Sequence, residues 1–318
     1  MPEIFIITYT YNRPNLLPRA VKSVLSQTFG DFEYIIINNG SSDSDTPKLL
    51  KQYSGLDKRI SVITRSHNDV STRNFTDQRT MLENSRSTFF MQVDDDDYIE
   101  PDTVGLLYKL ITENDADIAT VGSVWVYPDG NSKNKYVFDG TFIYSRTDAM
   151  TELLKREKFN SALGGKLYRK SLFENISIPY LDHFRDIHKE YRVINNIHKM
   201  VVTGKPKYYF YRHDNNASGL DTAEQITPTK MRQHLEANKM RTEWLSENMP
   251  EIKDFAFYCE LSFMVSLYER IHRLDVQPCF DIANEVKKTL IKNKQFLYGC
   301  GHCTEREKEI LRSLEENC

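Results

Sequence analysis

The chain has 318 residues, 40% of them hydrophobic and 27% charged, with a formal net charge of −3. That is enough apolar material for one large core or for a domain with an appendage, which excludes a disordered chain, and the slight acidity gives no electrostatic reason to bind nucleic acid. No apolar run approaches the roughly 20 residues of a membrane span, and the N-terminus enters Ile4-Phe5-Ile6-Ile7 without signal-peptide architecture, so a cytoplasmic protein is expected, with peripheral contact to a membrane left open.

In chain order, residues 4–8 form a β-rich run, and 15–27 carries Leu16, Leu17, Ala20, Val21, Val24 and Leu25 at helical spacing. The pairing recurs. Residues 34–37 read as a strand, 38–43 as a turn-rich loop, and Pro47 opens a helix reaching about Tyr53. A third strand is expected over 60–64, a helix over 73–84 and a strand over 88–93. Strands alternating with helices through short connections predict an α/β fold with a mostly parallel sheet covered by helices on both faces. Ligands of such sheets sit beyond the carboxyl ends of the strands, so the polar loops after Thr8, Ile37 and Val93 are expected to converge on one crevice.

The run Phe89-Phe90-Met91-Gln92-Val93 ends in Asp94-Asp95-Asp96-Asp97. It reads as a buried strand delivering carboxylates to its C-terminal tip. At an effective dielectric of about 20, two like charges 4 Å apart repel by roughly 4 kcal/mol. The cluster therefore asks for a counter-ion, and oxygen ligands suit Mg²⁺ or Mn²⁺ rather than zinc. The plainer alternative is an exposed acidic turn capping the helix opened by Glu100-Pro101-Asp102.

Further on, 102–114 is expected as a helix, 117–126 as a strand, 147–158 as a helix, a helix follows Asp186, and 207–211 is a strand. From Thr227-Pro228 long helical patterns take over, with Leu261, Met264, Val265, Leu267 and Tyr268 on one stripe and Thr304 with Glu307 as a capping box. The expected domains are 1–220 and 221–318. All five cysteines lie in the last third, an odd number that does not suggest a disulfide framework. Cys300-Gly301-His302-Cys303 falls short of a four-ligand zinc set. The C-terminal helices are read as elements for packing, homo-oligomerisation or partner docking.

Six segments carry a resemblance: Thr8-Tyr9-Thr10-Tyr11-Asn12-Arg13-Pro14, Ser23-Val24-Leu25-Ser26-Gln27-Thr28, Asn38-Asn39-Gly40-Ser41-Ser42-Asp43, Arg73-Asn74, the four aspartates, and Gly165-Lys166-Leu167-Tyr168-Arg169. Their order is that of inverting family 2 glycosyltransferases of the GT-A fold, which the first 220 or so residues resemble. The resemblance implies metal-dependent transfer of a sugar from a nucleoside-diphosphate sugar, UDP first, to a hydroxyl of a glycan acceptor, in a setting such as bacterial surface-polysaccharide synthesis. It implies that Thr10, Tyr11, Asn12 and Arg13 line the nucleotide, with Asn38 and Asn39 near the base and Asn38 in place of the usual aspartate. Arg73 would lie near the diphosphate, and Asp94 and Asp95 near the ribose and metal. Asp94, Asp96 and His213 would hold Mn²⁺ or Mg²⁺. Asp186 would be the general base, with Arg185 where the family has an acid and Asp182 as runner-up.

Plainer roles stand beside these: Tyr11 as core, Arg73 as a surface cation, Asn38-Asn39 as a turn. Trp125, Tyr127, His183 and Phe184 are candidates for an acceptor wall, because an aromatic face suits the apolar face of a sugar. Two other functions stay open. Nucleotidyl transfer on a related sheet would want a Gly-rich basic loop after the first strand, and Tyr11-Asn12-Arg13-Pro14 is not one. A non-catalytic nucleotide-sugar binder would share the same site.

Overall fold

A computed structural model describes residues 2–68, 81–174, 176–178, 184–213, 216, 220 and 222–316. Its strands are β1 (Ile4–Thr10), β2 (Phe32–Asn38), β3 (Ile60–Thr64), β4 (Phe89–Gln92), β5 (Tyr98–Ile99), β6 (Ile118–Val126), β7 (Ser132–Asn134), β8 (Thr141–Ser145), β9 (Lys166–Arg169) and β10 (Lys199–Tyr211). They form one sheet in the order β3-β2-β1-β4-β9-β6-β10-β5, with β7 beside β6 and β8 beside β10. The architecture is the expected mostly parallel α/β sheet. Strands β3, β2, β1, β4, β6 and β10 run one way, and β9 runs against both β4 and β6.

The centre of the sheet follows from apolar runs buried on both faces. In β1 every residue but Tyr9 is buried, the pattern of a strand covered by helices above and below. Helix Leu17–Leu25 turns Leu17, Ala20, Val21 and Val24 inward at helical spacing, and Thr103–Glu113 does the same with Val104, Leu107 and Ile111. Gln27, in the second resemblance segment, fastens these helices together. Its Nε2 donates to Glu100 O at 2.6 Å, and its Oε1 accepts from Val104 N at 2.9 Å, one of the amides a helix start leaves without an internal partner.

The register sets the carboxyl ends of β1 and β2 level, with Thr10 opposite Asn38, whereas β4 ends at Gln92 opposite Ile7, short of the end of β1. Two features depart from the sequence expectation. β9 lies where no strand was expected, and it enters antiparallel between β4 and β6. β10 was expected only over 207–211. It spans 13 residues instead, and register shifts around Pro206 carry the chain past that residue as bulges do. Of the helix expected over 73–84, residues 81–84 are described and helical.

The chain divides into two compact units, Met1–Asp182 with Lys189–His213, and His183–His188 with Asp214–Cys318. The second contains helices Pro228–Asn248, Lys253–Arg273, Phe280–Lys292, Lys294–Gly299 and Glu305–Glu316. Its core gathers Leu261, Val265, Leu267, Ile271, Ile282, Val286 and Leu290. The expected capping box is present: Glu307 N donates to Thr304 Oγ1 and Thr304 N to Glu307 Oε2. Cys259, Cys279, Cys300 and Cys303 are free thiols. No helix among the described residues is long and apolar enough to cross a membrane.

Candidate functional site

The four aspartates do not form an exposed acidic turn. Asp95, Asp96 and Asp97 are 4%, 8% and 3% exposed, and Asp102, at the N-cap of Thr103–Glu113, makes no capping bond from its side chain. The chain leaves β4 at Val93, whose carbonyl accepts from Thr8 Oγ1 at 2.7 Å, and Asp97 N returns to Asp94 O at 3.1 Å to close a turn.

Each carboxylate in that turn has a named partner. Asp94 Oδ1 accepts from Gln92 Nε2 at 2.7 Å. Arg13 Nη1 donates to Asp95 Oδ1 at 2.7 Å and to Asp96 Oδ2 at 2.9 Å, and His213 Nε2 lies 3.1 Å from the same Asp96 oxygen. Asp97 accepts from Tyr208 OH at 2.8 Å and from Tyr211 N at 3.0 Å. The expectation that the cluster lacks counter-charge without a metal is thus corrected: Arg13 sits on two of the carboxylates. The compensation is incomplete. Burial, with repulsion from Asp96, pushes Asp94 up to about 6; burial also lifts Asp95 to about 6 against the pull of Arg13. Asp97 is raised well above the ordinary carboxylate range by burial and by Asp96 and Asp94.

The loops after β1 and β2 are laced together beside this turn. Asn12, at φ 51°, accepts through Oδ1 from Ser42 N at 2.8 Å and Asp43 N at 3.2 Å, and its own amide donates to Ser41 Oγ. Asn38 is buried, and its Oδ1 accepts from Ser41 N at 2.9 Å. Asn39 N donates to Thr10 O at 2.8 Å, and its side chain links Asn68 and Arg65. Thr10 is buried, whereas Tyr11 is exposed. The Asn38 and Asn39 side chains serve their loop. Arg73, Asn74, Asp182 and His183 lie outside the described residues.

Asp186 stands in the first turn of helix Arg185–Asn195, in the segment that belongs to the second unit. Two residues before it, Phe184 has φ 57°, a conformation a bulky side chain adopts only when its surroundings enforce it. Its ring stacks on His234 at 3.9 Å, and His234 packs on Phe263 at 4.2 Å. The strained entry to the helix is therefore clamped by the helical unit. Of the other acceptor-wall candidates, Trp125 carries the guanidinium of Arg212 4.9 Å from its ring centre and the Lys135 ammonium at 4.8 Å.

Three groups in the site were not singled out by sequence. Arg19 Nη2 donates to Asp96 O at 2.6 Å while its guanidinium lies over Tyr211 at 4.2 Å and Tyr98 at 4.9 Å. Its partner is a backbone carbonyl, which leaves no trace in residue types. Tyr208 is fully buried, and its hydroxyl joins Asp97 Oδ2 and Asp94 N. Gly164 lies against it: a Cβ there would run into the Tyr208 ring tip and hydroxyl. Gly164→Ala is expected to cost about 1–3 kcal/mol by overpacking and to displace the Tyr208 hydroxyl from Asp97. Thermal melts of Gly164→Ala beside Tyr208→Phe check this: both should melt at lower temperature, the first by overpacking and the second by leaving the buried Asp97 carboxylate without its hydroxyl donor.

Residues 5–177 match the model of a family described as Glycosyl transferase family 2. The glycosyltransferase GlyA of Streptococcus pneumoniae serotype 4 is 29% identical over 218 residues, 65% of this chain and 30% of that protein. The poly(ribitol-phosphate) beta-N-acetylglucosaminyltransferase TarP of Staphylococcus aureus is 27% identical over 183 residues, 57% of this chain and 53% of that protein. This chain spans 30%, 53% and 61% of three such curated relatives. Among solved structures, residues 1–349 of S. aureus TarS superpose with a TM-score of 0.65 at 16% identity, covering 100% of this chain and 92% of that one. The same protein in complex with UDP gives 0.62, and in complex with UDP-GlcNAc 0.57 at 15% identity. At such identities the likeness is one of fold.

Proposed function

This chain belongs to glycosyl transferase family 2, and from that premise we propose that it transfers a sugar, with inversion, from a UDP-sugar to a hydroxyl of a glycan acceptor in bacterial surface-polysaccharide synthesis. The observation that carries the reading is the turn at the carboxyl end of β4. It gathers Asp94, Asp95 and Asp96 with Arg13 and His213, beyond the carboxyl end of an interior strand, where α/β folds place ligands. The UDP and UDP-GlcNAc complexes of TarS support the choice of uridine diphosphate.

The donor set suits a hard divalent cation. No group of three or more His, Cys, Asp or Glu forms a metal-holding cluster among the described residues. Asp96 and His213, which approach each other, would therefore hold Mn²⁺ or Mg²⁺ only with diphosphate oxygens and water completing its shell, as is common for Mg²⁺, and the expected third ligand, Asp94, accepts instead from Gln92. When bound, such an ion stabilises negative charge on the departing diphosphate. The chain's own part is a single displacement at the anomeric carbon: Asp186 accepts the proton of the acceptor hydroxyl as that oxygen attacks, and the nucleoside diphosphate leaves from the opposite face. The leaving group is already a stable anion, so the reaction does not call for a second protein acid of the glycosidase kind.

Calorimetric titration of UDP, with and without Mn²⁺, into the wild type and Asp96→Ala tests this. Metal-dependent binding that disappears in the variant is the expected result. A folded wild type that ignores UDP but takes GDP, CDP or dTDP would overturn the base assignment, and pyrophosphate release from a nucleoside triphosphate would favour nucleotidyl transfer.

A further inference from the structure

Asp96 Oδ2 is a contested atom. Arg13 Nη1 donates to it at 2.9 Å, and His213 Nε2 lies 3.1 Å away. It is also the oxygen through which Asp96 and His213 would approach a shared cation, and a guanidinium and a divalent ion on one carboxylate oxygen repel each other. One of the two must yield. Asp96 is buried, and Arg19 holds its backbone carbonyl at 2.6 Å, whereas the Arg13 side chain is 28% exposed on a long, rotatable stem. The movable partner is the arginine. Its planar fork matches phosphate oxygens as well as it matches carboxylates.

We propose that Arg13 is an internal counter-ion that holds the cation position of the aspartate turn until it gives up Asp96 for the diphosphate of an incoming nucleotide. This rests on the nucleoside-diphosphate reading above. Two consequences follow from the exchange. A divalent ion alone competes with the protein's own guanidinium and binds weakly. Nucleotide draws Arg13 away and so tightens the ion, and because coupling between two ligands is reciprocal, the ion tightens the nucleotide by the same factor.

The test is titration of Mn²⁺ alone, followed by UDP at saturating Mn²⁺, into the wild type, Arg13→Gln and Arg13→Lys. The pH is held well above the value of about 6 to which Asp94 and Asp95 are raised. In Arg13→Gln, Mn²⁺ alone should bind roughly ten- to a hundredfold tighter, the worth of a hydrogen bond to a charged group, while UDP binds weaker. This crossing is one that a merely structural arginine would not produce. Arg13→Lys keeps the charge without the fork and should fall between; it also serves if the glutamine variant does not fold. Mn²⁺ affinity unchanged or weakened in a folded variant overturns the proposal even where UDP still binds. If the wild type binds no nucleoside diphosphate, the functional reading fails, and the Mn²⁺-only arm still decides whether Arg13 holds the cation position.

Discussion

Asp186→Asn is expected to lower turnover about 10²- to 10⁴-fold, the usual worth of a general base, with donor affinity nearly unchanged. The asparagine keeps the size and polar character of the side chain while removing its charge and its capacity to take a proton. Asp186 lies in the first turn of helix Arg185–Asn195, and the clamp that orients that turn, Phe184 on His234 and Phe263, is built from other side chains. The variant should therefore fold and bind UDP with Mn²⁺ like the wild type. The decisive comparison is single-turnover transfer against calorimetric donor affinity. An equal loss in both would move Asp186 into the donor site, and full activity would remove it from the mechanism and turn attention to Asp182.

The largest loss of stability is expected at Lys166, in the last resemblance segment. Its ammonium is buried and spends its donors on Asn160 O and Ala162 O, both at 2.6 Å, and on Glu190 Oε1 at 2.8 Å. Tyr168 OH donates to the other Glu190 oxygen at 3.1 Å. Burial pushes the Glu190 carboxyl up, and the Lys166 charge opposes that shift. Lys166→Ala leaves this carboxylate buried with a single neutral donor and unties residues 160–162 ahead of Gly164. Breaking a buried pair from one side typically costs about 3–5 kcal/mol. The loss should appear as a lower urea midpoint in the transition of the sheet-containing unit. Lys166→Met with Glu190→Leu should recover much of it, because removing both charges abolishes the unpaired one. A single variant no weaker than an ordinary surface substitution would show that the pair is not what holds this segment.

What the sequence determined by itself is whatever depends on neighbours along the chain. The period of the apolar residues placed β1, β2 and β3 and the helices behind them, the Thr304–Glu307 capping box was legible from its spacing, and the run from Phe89 to Asp97 announced carboxylates at a strand tip. The order of six short segments was enough to suggest the family. Helix and strand periodicities are local properties, so a sequence displays them openly.

Only the tertiary structure decided what those carboxylates meet. Arg13 reaches Asp95 across 82 positions and Tyr208 reaches Asp97 across 111, and nothing in either neighbourhood encodes the pairing. The antiparallel entry of β9 and the passage of β10 over Gly204 and Pro206 were hidden for a related reason: β9 has a charged residue at each end, Lys166 and Arg169, and so lacks the apolar run that marks β4, and a breaker is tolerated where the ladder shifts register. Asn38 shows the same limit at the scale of one side chain. Its position at the end of β2 was visible, but the direction of its amide depends on the Ser41 N–H that the folded turn brings to it. Chain-distant contacts are selected by packing the whole sheet at once, so they exist only after the fold does.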